Sequence, residues 1–163
     1  MKIRNSIFIF GALLLLFCSC DEKRVFDEYK SFDGVWNKDS IVSFEFEQQD
    51  TTRLYNMFIN IRNNNDYPYS NIFLIVEMQQ PDADFAVVDT LEYQMAYPDG
   101  TLMGEGFSDV KESKLWYREK VKFPALGNYK VNIQQAVREV DKVPGIQELE
   151  GVTEVGFRIE TTE

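Results

Sequence analysis

A chain of 163 residues with 44% hydrophobic and 14% aromatic side chains has the material for one packed core, which excludes a disordered polymer. Its formal charge of −10, from 17 basic against 27 acidic residues, opposes nucleic acid and anionic lipid headgroups as partners. There is no histidine, so Ser-His and Cys-His catalysis and His-bound zinc are excluded as well.

The chain opens on a short cationic head, Met1-Lys2-Ile3-Arg4, followed by an apolar run from Ile7 to Phe17. That length suits the central segment of a secretory signal peptide. It is about half of what a bilayer-spanning helix needs. Signal cleavage requires a small residue before the cut, and Ser19 supplies one before Cys20, whereas Phe17 before Cys18 does not. Phe17-Cys18-Ser19-Cys20 therefore resembles a lipobox, and residues 1–19 are expected to leave as a lipoprotein signal peptide. Cys20 is then the first mature residue and carries the lipid, which makes membrane lipid the first expected partner. An ordinary signal peptide cut elsewhere, or a buried apolar helix, is the plain alternative.

This reading disposes of both cysteines. Cys18 departs with the signal peptide and the Cys20 sulfur is consumed by the thioether, so the folded part keeps neither a disulfide nor a nucleophilic thiol. Without residues 1–19 the chain keeps 144 residues, a usual size for one domain, and the loss of Lys2 and Arg4 takes its charge to −12. Residues 20–34 run from Cys20 through Asp21-Glu22-Lys23-Arg24 and lack a clear apolar period, so they are expected to form a lipidated tether. Residues 35–163 are expected to form a single domain.

Within that domain the apolar residues recur every second position. Val42, Phe44 and Phe46 alternate with Ser43, Glu45 and Glu47, the mark of a strand with one buried face. After a polar turn over 48–52, Tyr55, Met57, Ile59 and Ile61 repeat the pattern against Asn56, Asn60 and Arg62. Asn63-Asn64-Asn65-Asp66 with Pro68 ends that strand, because such side chains bond their own backbone and favour turns. Ile72–Met78 suits a central strand. One or two strands follow over Phe85–Tyr97, with Leu91, Tyr93, Met95 and Tyr97 on one face. Pro98-Asp99-Gly100 is a turn.

Leu115–Phe123 reads as the next strand, 124–128 as a turn, and Tyr129, Val131 and Ile133 as another strand. Gln134–Val140 is either a short helix or a continued edge, and Val143–Glu150 a loop. Val152–Glu160 closes the pattern with Val155, Phe157 and Ile159 inward. Seven or eight short strands without a helical period predict an all-β fold, an antiparallel β-sandwich of immunoglobulin-like or jelly-roll-like type.

Candidate sites are few. Gly104-Glu105-Gly106 is too short for a phosphate loop. Acidic residues are so numerous that two near one another carry little information about glycosidase chemistry. No catalytic residue, cofactor or metal ligand is therefore assigned. The oxygen-rich Asn63–Asp66 run lacks the spacing of a calcium loop and reads first as a turn. With Tyr67 and Tyr69 it is the candidate interaction loop: Asn63, Asn64, Asn65, Asp66, Tyr67 and Tyr69. Trp36, Trp116 and Tyr117 could form an aromatic platform for sugars, against core packing as the plainer use. Trp116 and Tyr117 are adjacent, so on a strand they face opposite ways.

Several blocks carry a further signal. Leu54-Tyr55-Asn56-Met57-Phe58-Ile59-Asn60-Ile61-Arg62-Asn63, Asp66-Tyr67-Pro68-Tyr69-Ser70-Asn71 and Asp89-Thr90-Leu91-Glu92-Tyr93 resemble the gliding-motility lipoprotein GldH family. So do Lys111-Glu112-Ser113-Lys114-Leu115-Trp116-Tyr117 and Gly151-Val152-Thr153-Glu154-Val155-Gly156-Phe157-Arg158-Ile159-Glu160. The resemblance implies an outer-membrane-associated lipoprotein of Bacteroidota that serves gliding and type IX secretion. It also implies other motility or secretion proteins of the cell envelope as partners, and it brings no catalytic residues. A glycan-binding surface lipoprotein is the alternative from another class.

Overall fold

The computed structural model describes residues 22–106, 108–138 and 144–162, so the expected signal peptide and Cys20 lie outside the described residues. Among the described residues, ten antiparallel strands account for the regular structure. In chain order they are β1 (Arg24–Ser31), β2 (Val35–Asn37), β3 (Val42–Gln48), β4 (Tyr55–Asn63), β5 (Asn71–Gln79), β6 (Ala86–Gln94), β7 (Lys111–Val121), β8 (Gly127–Gln135), β9 (Glu148–Glu150) and β10 (Val152–Thr161). Two four-stranded sheets, ordered β1-β10-β4-β7 and β3-β8-β5-β6, face each other, with the short pair β2-β9 beside them. The fold is the all-β sandwich that the period-two pattern predicts.

The core forms where the inward residues of the two sheets meet. Met57, Ile59, Ile61, Val155, Phe157 and Ile159 come from one sheet and Phe44, Leu74, Val76, Val131 and Ile133 from the other, all essentially without solvent contact. Phe157 lies at the centre, with ring centroids 6.1 Å from Phe44, 6.2 Å from Phe46 and 6.3 Å from both Phe26 and Tyr117. Offset and edge-on aromatic contacts of this kind add to the area each ring buries.

The side of the sandwich between β6 and β7 is closed by polar groups. Tyr93 Oη donates to the Trp116 carbonyl at 2.6 Å, and Tyr117 Oη and Arg118 Nη2 donate to Asp89 Oδ2 at 2.8 and 2.6 Å. Partial burial works against ionisation of Asp89, yet the Arg118 and Tyr117 bonds hold its carboxyl below the usual range. Tyr93 is accordingly half-buried at this rim, and Tyr97, beyond the end of β6, stands in solvent.

Two expectations are corrected. The tether expected over 20–34 is a strand from Arg24 to Ser31, paired with β10 from Arg24↔Glu160 to Ser31↔Glu154. An edge strand buries little, and here only Phe26 packs into the core, so the apolar period is too faint to read. The expected loop over 143–150 contains β9, whose three residues pair with β2 and bury Leu149 against Trp36. The open choice after Gln134 resolves against a helix: β8 ends at Gln135, the Ala136 N–H still reaches the Phe73 carbonyl at 2.8 Å, and Arg138 forms a bridge with Gly145.

Three loops, 49–54, 80–85 and 122–126, gather at the end of the sandwich where β1 begins. The candidate loop 63–71 is at the opposite end, with the loops over 32–41 and 95–110.

Candidate functional site

The turn after β4 is built by its own side chains. Asn64 Oδ1 accepts the Asp66 backbone N–H at 3.0 Å, Asn64 Nδ2 donates to Asp66 Oδ2 at 3.0 Å, and the Tyr67 N–H reaches the Asn64 carbonyl at 3.3 Å. This is the asparagine turn expected from the run. Its base is held from outside by the Asn64 N–H, which donates to the Gly151 carbonyl at 2.8 Å. Gly151 has φ +82°, and a β-carbon there would stand 2.2 Å from the Tyr67 nitrogen. Only glycine lets the two chain segments approach so closely.

The six predicted loop residues divide by this geometry. Asn63 and Tyr67 are buried, Asn64 and Tyr69 are partly covered, and Asn65 and Asp66 are exposed beside Pro68. Tyr67 Oη donates to the Asn71 carbonyl at 2.7 Å, and its burial pushes the phenol up well above its ordinary range. The Tyr67 and Tyr69 rings meet edge to face at 6.0 Å. Asn65 Nδ2 reaches Asp109 Oδ1 at 3.3 Å, tying this loop to the one before β7.

Beside the loop, the outward face of the β1-β10-β4-β7 sheet carries a network that the sequence does not announce. Arg62 on β4 bonds Glu112 on β7 and Glu154 on β10, and its guanidinium lies 4.4 Å from the centroid of the Tyr29 ring on β1. Tyr29 Oη accepts from Asn60 Nδ2 at 2.7 Å and donates to Glu112 Oε1 at 3.2 Å. Burial, then the nearby Glu112 and Asp27 charges, push the Tyr29 phenol up to about 12. The chain of contacts continues through Asp27–Arg158 at 2.7 Å, Arg158–Glu160 at 2.6 Å and Glu160–Lys114 at 2.7 Å. Lys114 Nζ sits 4.0 Å from the Phe58 centroid, and Phe58 is in turn covered by Trp116 at 4.4 Å. Burial opposes the Glu160 charge, but bonds from Lys114 and Arg158 hold its carboxyl below the usual range.

At the loop end of this face a shallow depression is lined by Arg62, Glu112, Glu154, Phe32 and Val110. An antiparallel pair of bonds, Glu105 N–H to the Glu112 carbonyl at 2.8 Å and back at 2.7 Å, fixes its rim. Two carboxylates sharing one guanidinium leave the depression able to accept a cationic side chain. On its wall Ser31 Oγ donates to Glu154 Oε1 at 3.1 Å, and among the described residues no group of three or more His, Cys, Asp or Glu is placed to hold a metal ion. The register that brings Arg62, Glu112 and Glu154 together joins residues up to 92 positions apart, which periodicity cannot reveal.

The aromatic platform does not assemble. Trp36 is fully buried with Nε1 bonded to the Ser40 carbonyl at 2.8 Å, Tyr117 points into the core, and Trp116, 53% exposed, faces out alone.

Comparison with known proteins follows the sequence blocks. Residues 24–159 match the family described as GldH lipoprotein. The gliding motility lipoprotein GldH of Flavobacterium johnsoniae is 60% identical over 160 residues, covering 98% of each chain. A gliding motility lipoprotein GldH homolog of Christiangramia forsetii is 57% identical over 163 residues, covering 100% of this chain and 99% of its own. Among solved structures, the infectious bursal disease virus VP2 subviral particle aligns with a TM-score of 0.45 at 10% identity, over 86% of this chain and 33% of that one.

Proposed function

The chain belongs to the GldH lipoprotein family, and from that membership we propose that it acts as a lipid-anchored accessory component of gliding motility and type IX secretion, working through protein contacts. The observation that carries this reading is the 60% identity to a gliding motility lipoprotein across essentially the whole of both chains. Membership makes the protein a lipoprotein of the cell envelope. The finer address is the outer membrane, with Cys20 as the residue that holds the lipid.

The proposed contact surface is the end of the sandwich opposite the start of β1. Asn65, Asp66 and Pro68 project there, next to the depression between Glu112 and Glu154. A partner presenting lysine or arginine would fit the acidic groups of the depression and the negative charge of the chain. The buried Asn63 and Tyr67 support this surface from below.

Two experiments test the reading. Removing the folded domain while keeping the signal peptide and Cys20 should abolish gliding or type IX secretion in a host that depends on them; normal secretion would overturn the proposed role. Cys20→Ala should leave unprocessed precursor without palmitate label, whereas Cys18→Ser should be processed normally. Label retained on the Cys20 variant would remove that residue as the anchor.

A further inference from the structure

Taking Cys20 as the lipid-bearing residue, as proposed above, we propose that the end of the sandwich where β1 begins sits in the bilayer interface on Phe85, Leu126, Leu54 and Val25. The domain then stands upright, with its opposite end turned away from the lipid.

The first argument is reach. Cys20 and Arg24 are four residues apart, and an extended chain spans at most about 3.6 Å per residue, so the slack is no more than about 14 Å. From Arg24 onward the chain is locked to β10, and the Thr161 N–H holds the Lys23 carbonyl at 2.8 Å. The end of the sandwich at Arg24 is therefore kept within a headgroup depth of the acyl chains.

The second argument is what that end presents. Phe85 at 75% and Leu126 at 60% are the two most exposed large apolar side chains among the described residues, and both belong to loops at this end. Val25 and Leu54 are exposed there too. The loops bearing Phe85 and Leu126 are braced together, since Gly127, next to Leu126, packs against Pro81 of the 80–85 loop, where an added β-carbon would lie 3.2 Å from the proline ring. An apolar pair held on a braced rim, within reach of lipid, fits a membrane interface better than water.

The third argument is the cost of other poses. Lying on the β1 edge would press Asp27, Glu28 and Lys30 against lipid, and lying on the outer sheet face would press the Arg62 and Arg158 networks against it. End-on seating buries none of these. Lys23, Arg24, Lys120 and Lys122 edge the same rim, where their alkyl stems can lie along lipid with the charges reaching headgroups. Asp82 and Asp84 share the loop of Phe85, so the contact is apolar and does not require anionic lipid.

The test uses the lipidated full-length protein in phosphatidylcholine vesicles. The mature chain has no other free thiol, so a single new cysteine takes an environment-sensitive fluorophore. Phe85→Cys and Leu126→Cys report the anchor end; Tyr97→Cys and Val110→Cys, also at exposed positions, report the far end. The probes at 85 and 126 should shift to the blue and be quenched by brominated lipid several-fold more than those at 97 and 110, with little change on adding salt. Equal quenching at both ends, or water-like spectra at 85 and 126, overturns the proposal. So does a blue shift that needs added envelope proteins, which would make this end a protein interface. Mass spectrometry of the same samples locates the lipid independently. Lipid elsewhere than Cys20 sinks the anchor assignment, whereas lipid on Cys20 with water-like probes sinks the end-on pose alone.

Discussion

The Tyr29 ring on β1 lies over Gly156, its cross-strand partner on β10: a β-carbon on Gly156 would be 2.7 Å from Tyr29 Cε1 and 2.8 Å from Cδ1. The ring fills the place of the missing side chain, and Arg62 covers its other neighbourhood. Gly156→Ala must therefore lift Tyr29 and disturb its bonds to Asn60 and Glu112. We expect a loss of about 1–3 kcal/mol in urea unfolding, the usual range for overpacking. In a Tyr29→Ala background the same substitution should cost nothing, a coupling that a double-mutant cycle reads directly. Additive effects would show that the ring can move aside freely.

Phe157 touches four aromatic rings drawn from both sheets. Phe157→Ala should cost about 3–5 kcal/mol. Trp116→Ala, on the exposed face, removes one ring pair with Phe58 and should cost roughly 1 kcal/mol. Chemical denaturation ranks the two, and a larger effect at Trp116 would contradict the assignment of the core.

Stability should be flat through neutral pH and fall at both extremes. Asp89 and Glu160 titrate below their ordinary range in the folded chain, so the unfolded state binds more protons as the solution is acidified. Their contribution is present above the unfolded values, about 3.9 and 4.3, and is lost as pH falls through the lower folded ones. Tyr29 and Tyr93 are raised from 10.0 to about 12, so their contribution is complete below 10.0 and disappears as pH rises through about 12. With no histidine in the chain, the midpoint of thermal melting should not move between about pH 6 and 8. A sharp transition in that interval would contradict this assignment.

Asn65→Arg tests the exposed crest of the loop without touching its support. Melting should be unchanged, while crosslinks to a basic partner at this end should be lost. Gly151→Ala, by contrast, forces a β-carbon toward the Tyr67 backbone at a positive φ, so it should lower both stability and crosslinking. Intact crosslinks in the Asn65 variant would remove the loop as a docking surface.

How much was legible follows from what each strand buries. β3 alternates cleanly, and in β4 and β10 the inward set is apolar at every second position, so Phe44, Ile59 and Phe157 are legible from alternation alone. β1 was missed because it contributes one core side chain, Phe26, among charged neighbours. β9 was missed because three residues are too few to show a period. Phe58 is the instructive case: it breaks the alternation of β4 by being apolar on the outward face, and the reason is Trp116, which covers it from β7. The six residues of the candidate loop are polar or aromatic without a pattern for burial, yet Asn63 and Tyr67 turn inward. The cluster of Arg62, Glu112 and Glu154 depends on register between three strands, and no local signal encodes that.

The order β1-β10-β4-β7 places the last strand of the chain between the first strand and β4. β1 has no partner until residues 152–161 are in place, at the far end of the described residues. Nor can β4 gain its second neighbour before that moment. Such distant closure is slow. The β1-β10-β4-β7 sheet is therefore completed only when the two most distant strands meet, a timing written into its topology.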